Sequence, residues 1–298
     1  MECAVCNWRR PLRRGQVRPN PMPLRRRLAW LGVLALLTGG GGMAEVMAAG
    51  PDLEISVCGA MREPLAFWLF RRVAGAAGAR RLAGIPNIER LAFKTRDGRE
   101  LGGYKLISRK PRGYLLVAPG NAMLAGQIMG ELQYFRDLGY DVYVYDYRGY
   151  GLSGGASRLM AIVSDYREIV THLNTLGYPR SLLYGMSMGG VILLNAVGAA
   201  GQYHAMVVDS TPSRISPLGC PASYDPVGHL PADCSRIKII AGERDLVVPP
   251  GEAQELLDAA QHCGATLLRQ RDFAHPFQDA SAEIHRRRFE AVADFLER

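Results

Sequence analysis

From residue 88 onward, apolar and polar positions follow two alternating rhythms. Short apolar runs of strand length recur, and between them apolar residues fall three or four positions apart, as on one face of a helix. Residues 88–95 and 100–107 read as two strands joined at Asp97-Gly98, a hairpin signal. Tyr114 to Ala118 is a third apolar run, ending at Pro119-Gly120, and 124–138 follow with helical spacing. Asp141 to Tyr145 makes the next strand, closed by the glycine-rich DYRGYGLSGG. Ile162 to Leu176 predicts a helix with Ile162, Tyr166, Ile169, Val170 and Leu173 on one face. Leu182 to Tyr184 predicts a buried strand and Val191 to Leu194 the helix after it. Ala205 to Val208, Ile237 to Ala241 and 265–270 complete the strands, with helices at 251–261 and 281–297. Apolar strands alternating with amphipathic helices predict an α/β fold whose mostly parallel central sheet is covered by helices on both faces.

Ahead of this pattern lie two segments of different character. Residues 1–49 read as a leader: Arg25, Arg26 and Arg27 precede the apolar stretch Leu28 to Leu37, which is too short to span a bilayer alone. Gly39 to Gly42 break that stretch, and Val46-Met47-Ala48 offers small residues for cleavage, so an exported chain is expected. An uncleaved N-terminal membrane anchor is the alternative. Residues 50–87 read as an N-terminal extension with an amphipathic helix over 60–83, carrying Phe67, Trp68, Arg80 and Arg81. That helix is expected to pack on the domain, and it also has the residues for peripheral membrane contact. Residues 88–298 then form one catalytic-size domain.

The formal charge of +8 first suggests a nucleic-acid partner. Its distribution removes the suggestion, because residues 1–48 hold eight arginines against Glu2 and Glu45, leaving the rest of the chain at +2. The run Arg286 to Arg288 reads as a solvated helix face. Of six cysteines, Cys3 and Cys6 sit in the leader, while Cys58, Cys220, Cys234 and Cys263 remain and agree with an oxidising compartment. A local bridge between Cys220 and Cys234, across a proline-rich loop, is the preferred pairing. No metal cluster or nucleotide fingerprint stands out, so no cofactor is expected.

The candidate chemistry is concentrated at strand ends, where ligand crevices open in such sheets. Residues 185–189 read G-M-S-M-G, placing Ser187 between a strand and a helix on a turn that holds its hydroxyl out of the chain. A serine needs a base to take its proton, and the base needs a carboxylate to fix its tautomer. His275, on the loop after the last strand, is the expected base, in preference to His204, His229, His262 and His285. Asp245, on the loop after the strand Ile237 to Ala241, is the expected acid, with Asp209 as runner-up. Glu243 and Asp272 read as solvated loop charges. The oxyanion donors are expected to be the backbone N–H of Met188, at a helix start, and that of Asn121, with Ala122 as its neighbouring alternative.

These motifs together resemble the α/β-hydrolase superfamily, most closely its compact serine hydrolases with an HGNAGN-like oxyanion loop. They read PGNAML (119–124), DYRGYGLSGG (146–155), GMSMGG (185–190), GERDLVVP (242–249) and FAHPF (273–277), in the expected order. Two departures stand out: Pro119 replaces the usual histidine, and Met123-Leu124 replaces the second Gly-Asn. The resemblance implies hydrolysis of a small-molecule or lipid ester, or a thioester, through an acyl-serine. Amide hydrolysis by a peptidase, acyl transfer on the same triad, and a non-catalytic interaction protein on a hydrolase scaffold are the rival readings. With only a short loop between Asp209 and Ile237, no large lid is expected. Tyr224 and His229 on that loop are candidates for shaping an acyl pocket.

Overall fold

The computed structural model describes residues 53–76 and 82–298. The leader predicted over 1–49 lies outside the described residues. Helix α1 (Arg62–Ala74) precedes β1 (Ile88–Lys94), β2 (Glu100–Leu106), β3 (Gly113–Ala118), α2 (Ala125–Asp137), β4 (Tyr140–Tyr145) and α3 (Leu159–Asn174). Then come β5 (Ser181–Met186), α4 (Met188–Leu193), β6 (Ala205–Asp209), β7 (Ile237–Gly242), α5 (Pro250–His262), β8 (Thr266–Gln270) and α6 (Ala282–Leu296). The predicted elements are present, with ends shifted by a few residues. The largest shift is in the N-terminal helix, shorter than the predicted 60–83 because Gly75 ends it.

The strands form one eight-stranded sheet in the order β1-β2-β4-β3-β5-β6-β7-β8. Strand β2 runs against β1 and β4, and every other pairing is parallel. Strands β3 to β7 are buried at every position, which is why they read as continuous apolar runs rather than alternating ones. Side chains alternate between two cores. One packs Ile162, Ile169, Val191, Ile192, Leu256 and Leu257 from α3, α4 and α5, and the other packs Ile128, Leu132, Phe289 and Val292 from α2 and α6. Truncating one of these fully buried leucines to alanine costs about 2–5 kcal/mol, so each helix is fixed where its strand leaves the sheet.

The extension is bound to the domain. Glu63 of α1 is buried, and its two oxygens accept the N–H of Cys58 (2.7 Å) and of Leu159 at the start of α3 (2.6 Å). Phe67 meets Tyr150 edge to face with centroids 6.4 Å apart. Glu54 accepts from the backbone of Ala156 and pairs with Arg99 and Arg148. The disulfides correct the expected Cys220–Cys234 bridge: Cys58 bonds to Cys220, and Cys234 to Cys263. Sequence proximity favoured the local pair, but Cys58 arrives beside Cys220 only because α1 folds back across the domain. The segment between β6 and β7 is built of short 3-10 turns resting on the helical turn Leu194–Gly198 that continues α4, where Asn195 Nδ2 donates to Tyr224 O (3.0 Å). No large lid is present among the described residues.

Candidate active site

Ser187 sits between β5 and α4 at φ 54° and ψ −118°, a backbone conformation that non-glycine residues rarely adopt. The turn is held from both sides of its peptide: Ser187 N–H donates to Asp209 O (2.8 Å), and Thr211 Oγ1 donates to Ser187 O (3.1 Å). The flanking glycines are required by close approach. A Cβ on Gly189 would lie 2.0 Å from Ala118 O, and one on Gly185 would lie 2.7 Å from Gly189 O. The G-x-S-x-G spacing is thus a packing solution that brings β3, β5 and α4 together around one strained serine.

The expected acid and base are brought together. His275 Nδ1 lies 2.9 Å from Asp245 Oδ2, with both side chains almost wholly buried. The other oxygen of Asp245 accepts the N–H groups of Val247 (2.8 Å) and Val248 (2.9 Å), which fixes the carboxylate's orientation. Burial pushes the Asp245 carboxyl up, but the His275 charge and these hydrogen bonds outweigh it and hold it below the usual carboxylate range. The two loops are also joined by backbone, with Glu243 N–H donating to Gln270 O (2.9 Å) and Arg244 N–H to Phe273 O (3.0 Å). The other histidines are engaged elsewhere. His204 Nδ1 accepts from Ser181 N–H, His262 bonds to Asp258 O, His229 bonds to Ser223 O, and His285 packs on Phe289.

Asp209, the runner-up acid, ends β6 but is occupied. Its oxygens take Arg288 Nη1 (2.7 Å) and Tyr184 OH (3.0 Å). This corrects the reading of Arg286 to Arg288 as a solvated face. Arg286 is exposed, Arg287 pairs with Asp272, and Arg288 is fully buried. Arg288 donates Nε to Asp279 Oδ2 (2.9 Å) and Nη2 to Ala274 O (2.5 Å), while Asp279 Oδ1 accepts Ala274 N–H (2.9 Å). The arginine therefore ties the loop bearing His275 to the strand end beside Ser187. Burial raises the Asp279 carboxyl, but contact with His285 and Arg288 prevails and holds it at about 2. The sequence carried a signal for this: Arg288 lies one turn from His285 and from Val292, inside the buried stripe of α6.

The loop expected to supply the second oxyanion donor passes beside the serine, since a Cβ on Gly120 would lie 3.6 Å from Ser187 Cβ. Ala122 has φ 60°, and its N–H donates to Asn121 Oδ1 (3.1 Å). Two tyrosines of DYRGYG, which sequence reasoning did not single out, hold this loop. Tyr147 OH donates to Pro119 O (2.5 Å) and Tyr150 OH to Asn121 Oδ1 (2.6 Å). Asp146 Oδ1 accepts Ala125 N–H (2.7 Å) at the start of α2. Arg148 of the same motif is fully buried among Asp97, Asp165 and Glu54. Its hydrogen bond, foremost, holds Asp97 down at about 2. Tyr224 and His229 lie against the helical turn Leu194–Gly198 that continues α4: Tyr224 O accepts from Asn195 Nδ2, and His229 bonds to Ser223 O. No group of His, Cys, Asp and Glu among the described residues is arranged to hold a metal ion.

Comparison with known proteins supports the fold. The family described as serine aminopeptidase S33 matches residues 109–224, spanning the oxyanion loop, the DYRGYG segment and the serine elbow. The structure superposes on an esterase of Pyrococcus furiosus, Pf2001, with a TM-score of 0.57 at 18% identity, covering 70% of this chain and 90% of that one. The chain has the α/β-hydrolase fold. It shares this fold with XC6422 of Xanthomonas campestris, described as a serine hydrolase without lid. That comparison has a TM-score of 0.53 and 20% identity, covering 70% of this chain and 92% of the other. In sequence the chain is 37% identical over 124 residues to a monoacylglycerol lipase of Mycolicibacterium smegmatis, covering 36% of this chain and 43% of the lipase. It is 23% identical over 231 residues to the uncharacterized protein YfhR of Escherichia coli K12, covering 70% of this chain and 80% of that one.

Proposed function

We propose that the protein is an exported esterase that cleaves carboxylic esters or thioesters through an acyl-serine. Ser187 is the nucleophile, His275 the general base and Asp245 the carboxylate that fixes the imidazole. The Asp245–His275 hydrogen bond of 2.9 Å carries this reading, because it orients Nδ1 toward the acid and so commits Nε2 to proton transfer. Ser187 Oγ attacks the carbonyl carbon as its proton passes to His275 Nε2. The oxyanion forms against the N–H groups of Met188 and Asn121. The imidazolium then protonates the leaving alkoxide or thiolate, and water, deprotonated by His275, releases the acid and regenerates the serine. The lipase and esterase names among the relatives support ester substrates over peptides. Export is supported by two disulfides, one joining the extension to the domain and one within the domain, and the catalytic unit is assigned to 88–298 with 50–87 as its extension.

Turnover of a p-nitrophenyl ester series beside aminoacyl anilides tests the reaction class. A nitrophenolate burst equal to the enzyme concentration, lost in Ser187→Ala, is the expected result. Turnover of the anilides alone would assign the protein to the peptidases instead. Intact mass of protein recovered from the medium or periplasm tests export, with an N-terminus near Gly50 expected and a chain retaining residue 22 opposing it.

A further inference from the structure

Helix α1 is apolar on two faces, and docking on the domain accounts for only one. Phe67 and Ala74 are buried against the core, with Phe70 and Val73 packed partly on it. On the opposite side, Met61, Leu65 and Trp68 recur one turn apart along a single stripe, with exposures of 85%, 60% and 43%. Of the five large hydrophobic side chains exposed among the described residues, three are in this stripe. The next turn places Arg72 with its guanidinium 4.8 Å from the Trp68 ring centroid, and the neighbouring Arg71 is exposed as well, with Nη1 donating to Gly149 O (3.1 Å). The helix's one acid, Glu63, is turned inward with both oxygens bonded to N–H groups, so the charge shown outward is positive. Exposed apolar side chains in register, a tryptophan at one end and arginines able to extend their heads outward fit the boundary between acyl chains and headgroups.

We propose that the outer face of α1 docks on a membrane surface of anionic phospholipid, with Met61, Leu65 and Trp68 seated below the headgroups and Arg71 and Arg72 at the level of the phosphates. A neutral surface would bury the same apolar atoms but leave the arginines uncompensated, so the charge argues for anionic lipid. One thirteen-residue helix gives reversible attachment rather than insertion. Among the described residues no helix is long and apolar enough to cross a membrane. The docked edge has a further consequence that rests on the proposed esterase reading. Trp68, Arg71 and Arg72 border a cavity of about 310 Å³ with Leu124, Gly149 and Tyr150, so lipid would meet the protein beside the oxyanion loop.

The test uses the exported chain from Gly50, the mature form of the proposed reading, in which Trp68 is the only tryptophan. The chain is mixed with phosphatidylcholine vesicles, with and without roughly a third phosphatidylglycerol. Expected are sedimentation with the anionic vesicles, quenching of Trp68 by brominated acyl chains, and weakening of both by salt. Leu65→Ser/Trp68→Ser in that chain should lower partitioning at least about tenfold, and Arg71→Gln/Arg72→Gln should remove the preference for anionic lipid. Unchanged far-ultraviolet circular dichroism would show that the variants fold. Absence of binding by the starting chain, or variants that partition as well as it does, overturns the proposal. So does a concentration-dependent dimer that shields Trp68 without lipid. Reactivity of Ser187 toward a fluorophosphonate, measured in parallel, reports separately on the esterase reading.

Discussion

Ser187 is defined less by its own chemistry than by the strain around it. Its positive φ, the bond from Thr211 and the absent Cβ atoms at 185 and 189 hold one hydroxyl at the carboxyl end of the central strand β5. This much was legible in five residues, because the close approaches admit little but glycine. Asp245 and His275 were singled out by their places after β7 and β8 and lie in contact; on the proposed reading, Asp245→Asn should lower kcat by about a thousandfold or more by admitting the wrong histidine tautomer. What the sequence hid were the groups acting one contact away. Tyr150 looks like any aromatic in a loop until its hydroxyl is seen 2.6 Å from Asn121 Oδ1. Tyr150→Phe should lower kcat about tenfold with KM little changed, since the oxyanion loop loses a support while the acyl site keeps its shape. An equal rise in KM would instead assign Tyr150 to substrate binding.

At the scale of elements, the strands and helices were readable because buried parallel strands and amphipathic helices leave different periods in the chain. Arg288 escaped because a run of three arginines looks solvated, although helical geometry sends the third to a different side from the first. Its pairs with Asp209 and Asp279 join α6, β6 and the His275 loop. Asp279→Asn should cost about 3 kcal/mol, measured by urea denaturation, because it leaves a buried guanidinium short of a partner. The pH dependence has a definite sign. Asp279 is held at about 2 in the folded protein against about 4 unfolded. Its contribution is therefore complete above pH about 4 and is lost as pH falls toward about 2, and the Asn variant should lose less stability over that window. Asp97, held at about 2 by Arg148, adds to the same acid limb.

Across the whole molecule, the extension is part of the fold. The Cys58–Cys220 bridge spans 162 residues and Cys234–Cys263 spans 29, and loop-closure arguments give each about 3–5 kcal/mol of stabilisation. Reduction should therefore lower the urea midpoint, and Cys58→Ser/Cys220→Ser should lower it without touching the Asp245–His275 pair. The long bridge was illegible because nothing local in the sequence pairs positions so far apart. The short one was mispredicted because the nearer cysteine in sequence was not the nearer in space. The same folding back lays Phe67 against Tyr150, so the extension bears on the loop that supports Asn121. All of this has catalytic meaning only if Ser187 is a nucleophile activated by His275. The most direct measurement is mass-spectrometric mapping of a fluorophosphonate adduct on the intact protein, beside Ser187→Ala and His275→Ala. The account predicts one adduct, on Ser187, absent from the first variant and slowed at least about a thousandfold in the second. An adduct elsewhere, or labelling that persists in Ser187→Ala, would contradict it.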